Sequence, residues 1–275
     1  MTATAASIAL RLTPPVRYVL RIADTALIHA QRLAEWCGHG PALEEDIALS
    51  NLALDSLGQA RALLTHAATL EGQGQDRTYG EDELAFLREE HQFLNLTLVE
   101  QPMRKASAHG PGGDFADTVL RNLLVATWLK LLYGRLQGSS DATLAAIAAK
   151  SLKEVRYHQQ HAADWVVRLG DGTEESARRL RAALARAWPY TAEMFVADEV
   201  DAAAAATGLG PSRAELREPW MAEGQAVLAE ARADAARPAD TPFVSTGTLG
   251  RHSEHMGFIL AELQYLQRRY PGGAW

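Results

Sequence analysis

Histidine and carboxylate side chains at helical spacing are the residues of this sequence that could hold a metal. Residues three or four apart lie on one face of a helix, so Glu-x-x-His pairs on facing helices of a bundle can together bind two iron ions. The sequence contains neither Glu-x-x-His nor Asp-x-x-His. Because this chemistry accepts few substitutes for its ligands, their absence argues against a di-iron centre of that type.

Three groups of side chains come near the pattern without matching it: Glu35 with His39; Glu154 with His158 and His161; and His252 and His255 on either side of Glu254. Gly38 interrupts the first group at the expected end of a helix, so a surface pair is favoured there. The second group shares a helix face and could bind a metal weakly, but a solvated ion pair is the commoner arrangement. For the third group, helix capping or contact with a partner is favoured over ligation.

Cysteine content and charge limit the chemistry further. Cys37 is the only cysteine, so the chain can form neither an internal disulfide nor a thiolate zinc site; we predict a buried thiol in a reducing compartment. The formal net charge is −7, with acids and bases mixed along the chain, which argues against a nucleic-acid binder. Neither a phosphate-binding glycine loop after a strand nor a G-x-S-x-G elbow occurs.

No segment is predicted to enter or cross a membrane. The N-terminus reads MTATAASIALRLTPPV, without the basic region and long apolar region of a signal peptide. The most apolar stretch, 123–136, is interrupted by Lys130 and Arg135 and is too short to span a bilayer. We therefore predict a cytoplasmic protein with no membrane contact, in which 123–136 is a buried core helix.

Apolar residues recur at helical spacing along most of the chain. The predicted helices cover approximately residues 15–37, 43–71, 82–99, 115–137, 142–169, 174–206, 213–236 and 252–270. Asp114, Asp141 and Thr173 are the expected N-caps of the fourth, fifth and sixth helices. Pro189 is expected to bend or break the sixth helix, and 238–250 is predicted to be irregular. Long helices with short connections favour an all-α antiparallel bundle, which we take to be a single domain over 1–275.

Several ordered blocks of the sequence resemble the structural-subunit family of the bacterial phenylacetyl-CoA epoxidase complex. The N-terminal half contributes LAEWCGHGPALEEDIALSNLALDSLGQARALL and FLREEHQFLNLTLVEQP. The C-terminal half contributes IAAKSLKEVRYHQQHAADWVVRLGDGTEES, AEMFVADEVD and HSEHMGFILAELQYLQRRYPGGAW. The blocks occur in order and cover most of the chain, which is far more specific than a single short motif.

This resemblance implies a ferritin-like helical bundle with additional C-terminal helices, working within a multicomponent monooxygenase. Such a complex converts phenylacetyl-CoA to a ring 1,2-epoxide with O2 and electrons from NADPH, delivered through the flavin and iron–sulfur centres of a separate reductase subunit. A related ferritin-like subunit holds the di-iron centre and the substrate. The present chain resembles the partner of that catalytic subunit. It is therefore expected to bind no cofactor itself, to work in a heteromeric complex and, when alone, to be a candidate for a homodimer.

The resemblance also implies six vestigial positions, which match the iron ligands of the catalytic subunit: Glu35, Ser56, Gln59, Ala126, Val155 and His158. An Asp-Glu-x-Gly-His pattern is replaced by DSLGQ at 55–59, and Lys-Glu-Glu-x-x-His by KEVRYH at 153–158. Two ferrous ions would bring four positive charges to a site with about one carboxylate. An uncompensated buried charge costs several kcal/mol. We therefore expect no metal site in this chain, and we expect the remaining polar groups to hydrogen-bond or pair with one another.

Three functions remain open at this point. The favoured one is a non-catalytic structural and regulatory subunit that pairs with the catalytic subunit and stabilises it. The second is an independent ferritin-like metalloprotein that uses the following ligands: Glu35, Glu154, His158 and His161. The third is a helical binding module without an enzyme partner.

Overall fold

The computed structural model describes residues 7–102 and 114–273. Its α-helices are α1 (Pro14–Ala34), α2 (Leu43–Glu71), α3 (Glu81–Phe86), α4 (Phe115–Leu136), α5 (Ala142–Gly170), α6 (Glu174–Ala187), α7 (Glu199–Thr207), α8 (Arg217–Glu230) and α9 (Glu254–Arg269). Short 3-10 turns connect them: Glu90–Gln92, Thr97–Glu100, Trp188–Tyr190, Ala192–Phe195, Arg213–Leu216, Asp234–Ala236 and Gly247–Leu249. Within the two described ranges no strand forms apart from an isolated bridge between Thr246 and Arg251. The predicted all-α class is confirmed.

Two helical hairpins, α1–α2 and α4–α5, form the bundle. Asp114 begins α4 by accepting a hydrogen bond from the Ala116 amide at 2.8 Å, and Asp141 begins α5 by accepting one from the Leu144 amide at 2.9 Å. Both predicted caps are therefore confirmed. The apolar stretch inside α4 is almost entirely buried, as predicted for a core helix. Of the helices in the described part of the chain, none has the length and apolarity to cross a membrane.

The third predicted helix forms only in part, because α3 is six residues long. The chain that follows, residues 87–102, crosses α1 as two 3-10 turns joined by non-helical residues, and we call it the strap. Side chains of α1 accept hydrogen bonds from strap amides that would have bonded to backbone carbonyl groups in a helix. Asp24 accepts from the Leu94 amide at 2.8 Å, and Thr25 accepts from the Leu96 amide at 3.1 Å. Since these groups satisfy the backbone, the prediction of a continuous helix was wrong here.

The C-terminal half departs from the predicted helices at two points. The sixth predicted helix breaks at Trp188, next to Pro189 as expected, but it resumes only as the separate helix α7. The seventh is regular only over α8. The irregular segment 238–250 is confirmed, and it ends against the strap. Gly250 adopts φ +78°, and an added Cβ would lie 2.2 Å from the His91 carbonyl oxygen, so glycine is required at this crossing.

Candidate functional site

A polar seam runs between α2 and α5, the helices that join the two hairpins. It consists of four cross-helix pairs: Glu45 Oε2 with His161 Nε2 at 2.9 Å, Asp55 Oδ2 with His158 Nε2 at 3.0 Å, Glu154 Oε2 with Gln59 Nε2 at 3.0 Å, and Asp141 Oδ2 with His66 Nε2 at 2.8 Å. Residue numbers rise along α2 as they fall along α5, so the two helices are antiparallel, as predicted. At 1.5 Å per residue the seam is about 30 Å long.

Gln59 occupies one of the vestigial positions and ties three helices together. Its Nε2 donates to Glu154, and its Oε1 accepts from the Tyr133 hydroxyl at 3.2 Å. Burial raises the pKa of the Tyr133 phenol, so the hydroxyl remains a donor. Ser56 turns back to its own helix and donates to the Leu52 carbonyl at 2.8 Å. Both replaced positions are satisfied by neighbours and present no anionic oxygen to the interior.

The three vestigial positions on α4 and α5 are apolar or neutral. Ala126 and Val155 are 4% and 0% exposed within the main apolar cluster, where they offer only hydrocarbon. Burial lowers the pKa of His158, and the hydrogen bond and charge of Asp55 oppose that effect without overcoming it. The imidazole is therefore neutral near pH 7 and donates its Nε2–H to Asp55.

Glu35, the sixth vestigial position, has a partner of its own, Arg32. α1 ends at Ala34, so Glu35 is its C-cap. Its carboxylate is paired with Arg32, whose Nε also donates to the Glu100 carbonyl at 2.9 Å. The assignment of Glu35 to a vestigial ligand position stays a prediction from the resemblance.

His29 is a core residue that was not predicted from the sequence. It is 5% exposed, and its Nδ1 has no hydrogen-bond partner among the described residues. Its pKa falls to about 3, chiefly because of burial and further because of the charge of Arg121. The available signal was its place on the α1 stripe, three residues after Ala26 and four before Leu33. A lone histidine on an apolar stripe marks an interior polar group.

The core side chains do not fit a di-iron centre. Over residues 7–102 and 114–273, no three His, Cys, Asp or Glu side chains are grouped so that they could hold a metal ion. Arg121 is fully buried, and burial together with the charge of Arg32 lowers its pKa to about 9. A divalent cation would therefore meet guanidinium charge and neutral imidazoles instead of carboxylates, without compensation for its lost hydration.

The alternative metal site from the sequence is not assembled in the described structure either: Glu35, Glu154, His158 and His161 each have another partner. Each histidine of this set pairs across the seam with a carboxylate of α2. Cys37 also differs from its prediction, since it is exposed in the turn after α1. That helix stops three residues before the cysteine, which therefore never reaches the core.

His252 and Ser253 fasten the start of α9 to Glu100, and we call these three residues the clamp. His252 Nδ1 lies 2.7 Å from Glu100 Oε1, and its Nε2 lies 3.0 Å from the Phe93 carbonyl oxygen. Ser253 donates to Glu100 Oε2 from its amide at 2.8 Å and from its hydroxyl at 2.7 Å. Burial opposes the charged imidazole, but the hydrogen bond and charge of Glu100 outweigh it and raise the pKa of His252.

Both ring nitrogens of His252 thus face acceptors, so the imidazole carries a proton on each. Within the third histidine group, His252 therefore contacts Glu100 of the same chain. Capping of α9 falls to Ser253, whose side chain accepts from the His255 amide at 3.4 Å. His255 lies 3.9 Å from the carboxylate of Glu254.

The fold and these side chains define a class of protein, an all-α bundle of the ferritin-like type. Its interior contains the hydrogen-bonded pairs of the seam and a cluster of apolar side chains. The chain belongs to the phenylacetic acid catabolic protein family, whose model matches residues 1–275. It is 45% identical over 258 residues to a 1,2-phenylacetyl-CoA epoxidase subunit of Escherichia coli (strain K12), a match that covers 94% of this chain and 98% of that protein. The resemblance seen in the ordered sequence blocks is confirmed.

Proposed function

We propose that this chain is the structural, non-catalytic subunit of a multicomponent phenylacetyl-CoA 1,2-epoxidase that serves aerobic phenylacetate degradation. The name of the Escherichia coli relative supports the complex and the pathway. One observation carries the non-catalytic role. The bundle core offers neutral imidazoles, an amide bridge and hydrocarbon where a di-iron centre needs carboxylates. The chain then holds no cofactor of its own.

The proposed partner is a related ferritin-like subunit that binds the di-iron centre and the acyl-CoA substrate. Two related bundles can pair through similar faces in a pseudo-symmetric interface. Such an interface holds the helices that position the ligands on the catalytic side in one arrangement. Its contacts must outweigh the conformational entropy that these helices lose. Electrons from NADPH reach the catalytic subunit through the flavin and iron–sulfur centres of the reductase.

Co-expression with the catalytic subunit tests this proposal. We expect the two chains to elute together from a size-exclusion column at micromolar concentration. Iron should match the catalytic subunit alone, and the present chain purified by itself should hold less than a tenth of an equivalent. Epoxide formation from phenylacetyl-CoA, measured with reductase and NADPH, should fall strongly when this chain is omitted.

Two results would contradict the proposal. Separate elution of the two chains would remove the pairing, and stoichiometric iron in the isolated chain would remove the non-catalytic role. A matched control is the His158→Leu variant of this chain. It should leave the iron content and turnover of the assembled complex unchanged, because the imidazole only pairs with Asp55.

A further inference from the structure

A cavity of about 300 Å³ lies between α8, the turns that follow α6 and the irregular segment 238–250. Its walls are mainly aromatic and apolar: Trp188, Phe195, Trp220, Met221 and Phe243 line it. These residues belong neither to the seam nor to the clamp. Ligand pockets measure about 300–1,000 Å³ and combine apolar walls with a few polar groups. This cavity therefore has the size and the surface of a site for a small ligand.

The inner wall of the cavity holds its aromatic rings in fixed positions. The Trp220 ring centroid lies 5.8 Å from that of Trp188 and 5.1 Å from that of Phe195, and the ring planes are inclined by 35° and 59°. The Trp220 indole N–H also donates to the Leu124 carbonyl at 2.9 Å. A flat aromatic ligand can add offset or edge-on contacts to such rings. Because the rings are already ordered, little entropy is lost when the ligand binds.

The outer wall of the cavity is formed by Phe243, whose ring is only partly covered. The ring meets Tyr190 edge-on at a centroid distance of 5.8 Å, and 48% of Phe243 is exposed. A ligand ring bound in the cavity would remove part of this apolar surface from water, which favours binding in proportion to the area covered. The aromatic walls thus call for a ligand that is itself flat and apolar on its faces.

The opening of the cavity carries an excess of positive charge. Arg217 and Asp240 line the cavity, and the Arg217 Nη2 donates to Asp240 Oδ2 at 3.1 Å. The same carboxylate has a second cationic neighbour, because Arg237 Nη1 lies 3.6 Å from Asp240 Oδ1. Two guanidinium groups therefore share one carboxylate. The Arg217 side chain is 57% exposed, so its remaining N–H groups can be reached from the solvent.

We propose that this cavity binds a small aromatic carboxylate. The ring lies against Trp188, Trp220 and Phe243, and the carboxylate accepts hydrogen bonds from Arg217. An aromatic box by itself also suits an organic cation, but two guanidinium groups at the opening repel one. A neutral arene would leave the charged donors unused, whereas a carboxylate matches the planar fork of an arginine.

Binding to the isolated full-length chain tests the charge of the ligand. Benzoate, benzamide and benzylamine share one ring and carry a negative charge, no charge and a positive charge. Calorimetric titration should give benzoate a dissociation constant of about 0.1–1 mM, as expected for so few atoms. Benzamide should bind at least about fivefold more weakly, because its neutral oxygen accepts a weaker hydrogen bond. Benzylamine should not bind.

The two partners of the ion pair at the opening should have opposite effects on benzoate. Arg217→Gln should weaken binding about tenfold, because it removes a charge-assisted hydrogen bond. Asp240→Asn should tighten binding about threefold, because it removes a like charge that competes for the guanidinium. Opposite signs cannot come from the loss of the ion pair, which both variants break. Arg232→Gln is the matched control, since Arg232 pairs with Asp171 at 3.0 Å beyond the other end of α8.

The aromatic wall is tested by Phe243→Ala, which should weaken benzoate binding about fivefold because apolar contact area is lost. Tyr157→Ala, at an aromatic residue on α5 that is 57% exposed, should leave binding unchanged. In heteronuclear NMR spectra benzoate should shift the indole N–H signal of Trp188, which lies 3.4 Å from Asp240, but not that of Trp36. Circular dichroism should show that all these variants keep the helical fold.

Three results would each overturn the proposal. The first is no binding of benzoate at concentrations up to about 10 mM, well above the constant expected for such a ligand. The second is binding of benzylamine at least as tight as that of benzoate, which would make the cavity a cation site. The third is a weakening of benzoate binding by Asp240→Asn, or equal effects of Arg217→Gln and Arg232→Gln. Because the isolated chain is used, the inference does not rest on the proposed function.

Discussion

The bundle core and the clamp both bury polar groups, but they satisfy them to different degrees. In the clamp, Glu100 is fully buried and accepts from His252, from Ser253 twice and from Asn95 at 2.8 Å. In the core, His29 lacks a partner for one ring nitrogen within the described structure, and the charge of Arg121 acts on it. The contrast shows that this fold still buries carboxylates, although not at the centre of the bundle.

Glu193 repeats the pattern of the clamp at a second crossing of the chain. Its carboxylate accepts from the Thr97 amide at 3.0 Å, from the Ser245 hydroxyl at 2.7 Å and from the Thr248 amide at 2.8 Å. Three donors compensate a buried carboxylate without a metal ion. The buried carboxylates of Glu100 and Glu193 therefore fasten the strap and the C-terminal segment.

The largest expected effect comes from removing the anion of the clamp. Glu100→Ala leaves the protonated His252 and the donors of Ser253 buried without an acceptor, and it should lower the free energy of unfolding by about 3–5 kcal/mol. Urea denaturation at pH 7 measures the loss. Glu175→Ala is the control, because this carboxylate pairs with Arg178 and Arg179 at the exposed surface, where no measurable change is expected. An equal loss of unfolding free energy in both variants would contradict the idea that the clamp carboxylate contributes more than a surface carboxylate.

Placing an acid in the core should be the next most damaging change. Val155→Glu puts a carboxyl group into the apolar cluster, and it should cost about 3 kcal/mol at pH 7, since burial raises a carboxyl pKa by several units. The loss should shrink at pH 5, where the group is neutral. Tyr157→Glu on the exposed side of the same helix is the control. Stoichiometric iron binding by the Val155→Glu chain would show that one added carboxylate is enough to hold the metal in this core.

The two regions should respond to pH with opposite signs, beginning with the core. The pKa of His29 is lowered to about 3 from its ordinary value near 6.5, so below pH 6.5 the unfolded chain binds a proton that the folded chain does not. Stability should therefore fall as the pH drops, by up to about 1.4 kcal/mol per pH unit for this one group. His29→Leu should reduce this slope in urea denaturation between pH 6.5 and 4. An unchanged slope would mean that His29 takes up its proton in the folded state.

The clamp should show the reverse dependence. The pKa of His252 is raised, so its stabilising contribution is fully present below the unfolded value and is lost as the pH rises through the folded value. The difference in unfolding free energy between wild type and His252→Gln should therefore shrink from pH 6 to pH 9. A difference that grows over this interval would contradict the protonated imidazole.

The smallest effect is expected at the seam. Gln59→Ala removes the acceptor of the buried Tyr133 hydroxyl, and it should cost about 1–2 kcal/mol in unfolding free energy. Under the proposed function, epoxidation by the assembled complex should barely change. A large loss of turnover with the complex intact would show that the core of this chain takes part in the reaction.

Local sequence signals predicted the bundle well where the stabilising contacts are also local. α2 begins and ends at residues 43 and 71 as predicted, and Asp114, Asp141 and Thr173 cap the helices expected of them. The strap was missed because its amides are satisfied by side chains of α1, about 70 positions earlier in the chain. The apolar periodicity of a short sequence window contains no information on hydrogen-bond partners that lie so far away in the chain.

The candidate site was predictable to a similar extent. The resemblance implied that acidic ligands are lost at positions 56 and 155, and it led to the expectation that the polar groups left behind pair with one another. The partners are not visible, because Asp55 lies 103 positions from His158. The end of α1 at Ala34 places Glu35 at the helix C-cap and leaves Cys37 exposed, and helix ends are the least certain part of a sequence-based prediction.

Asp141 has a consequence for how the molecule opens. One of its oxygens caps the first turn of α5 at the Leu144 amide, and the other holds His66 near the C-terminal end of α2. The first turn of α5 therefore cannot fray without releasing α2, so the two hairpins should unfold as one cooperative unit. The Leu144 amide proton should then exchange with solvent deuterium only during global unfolding, although helix termini ordinarily exchange through local fluctuations.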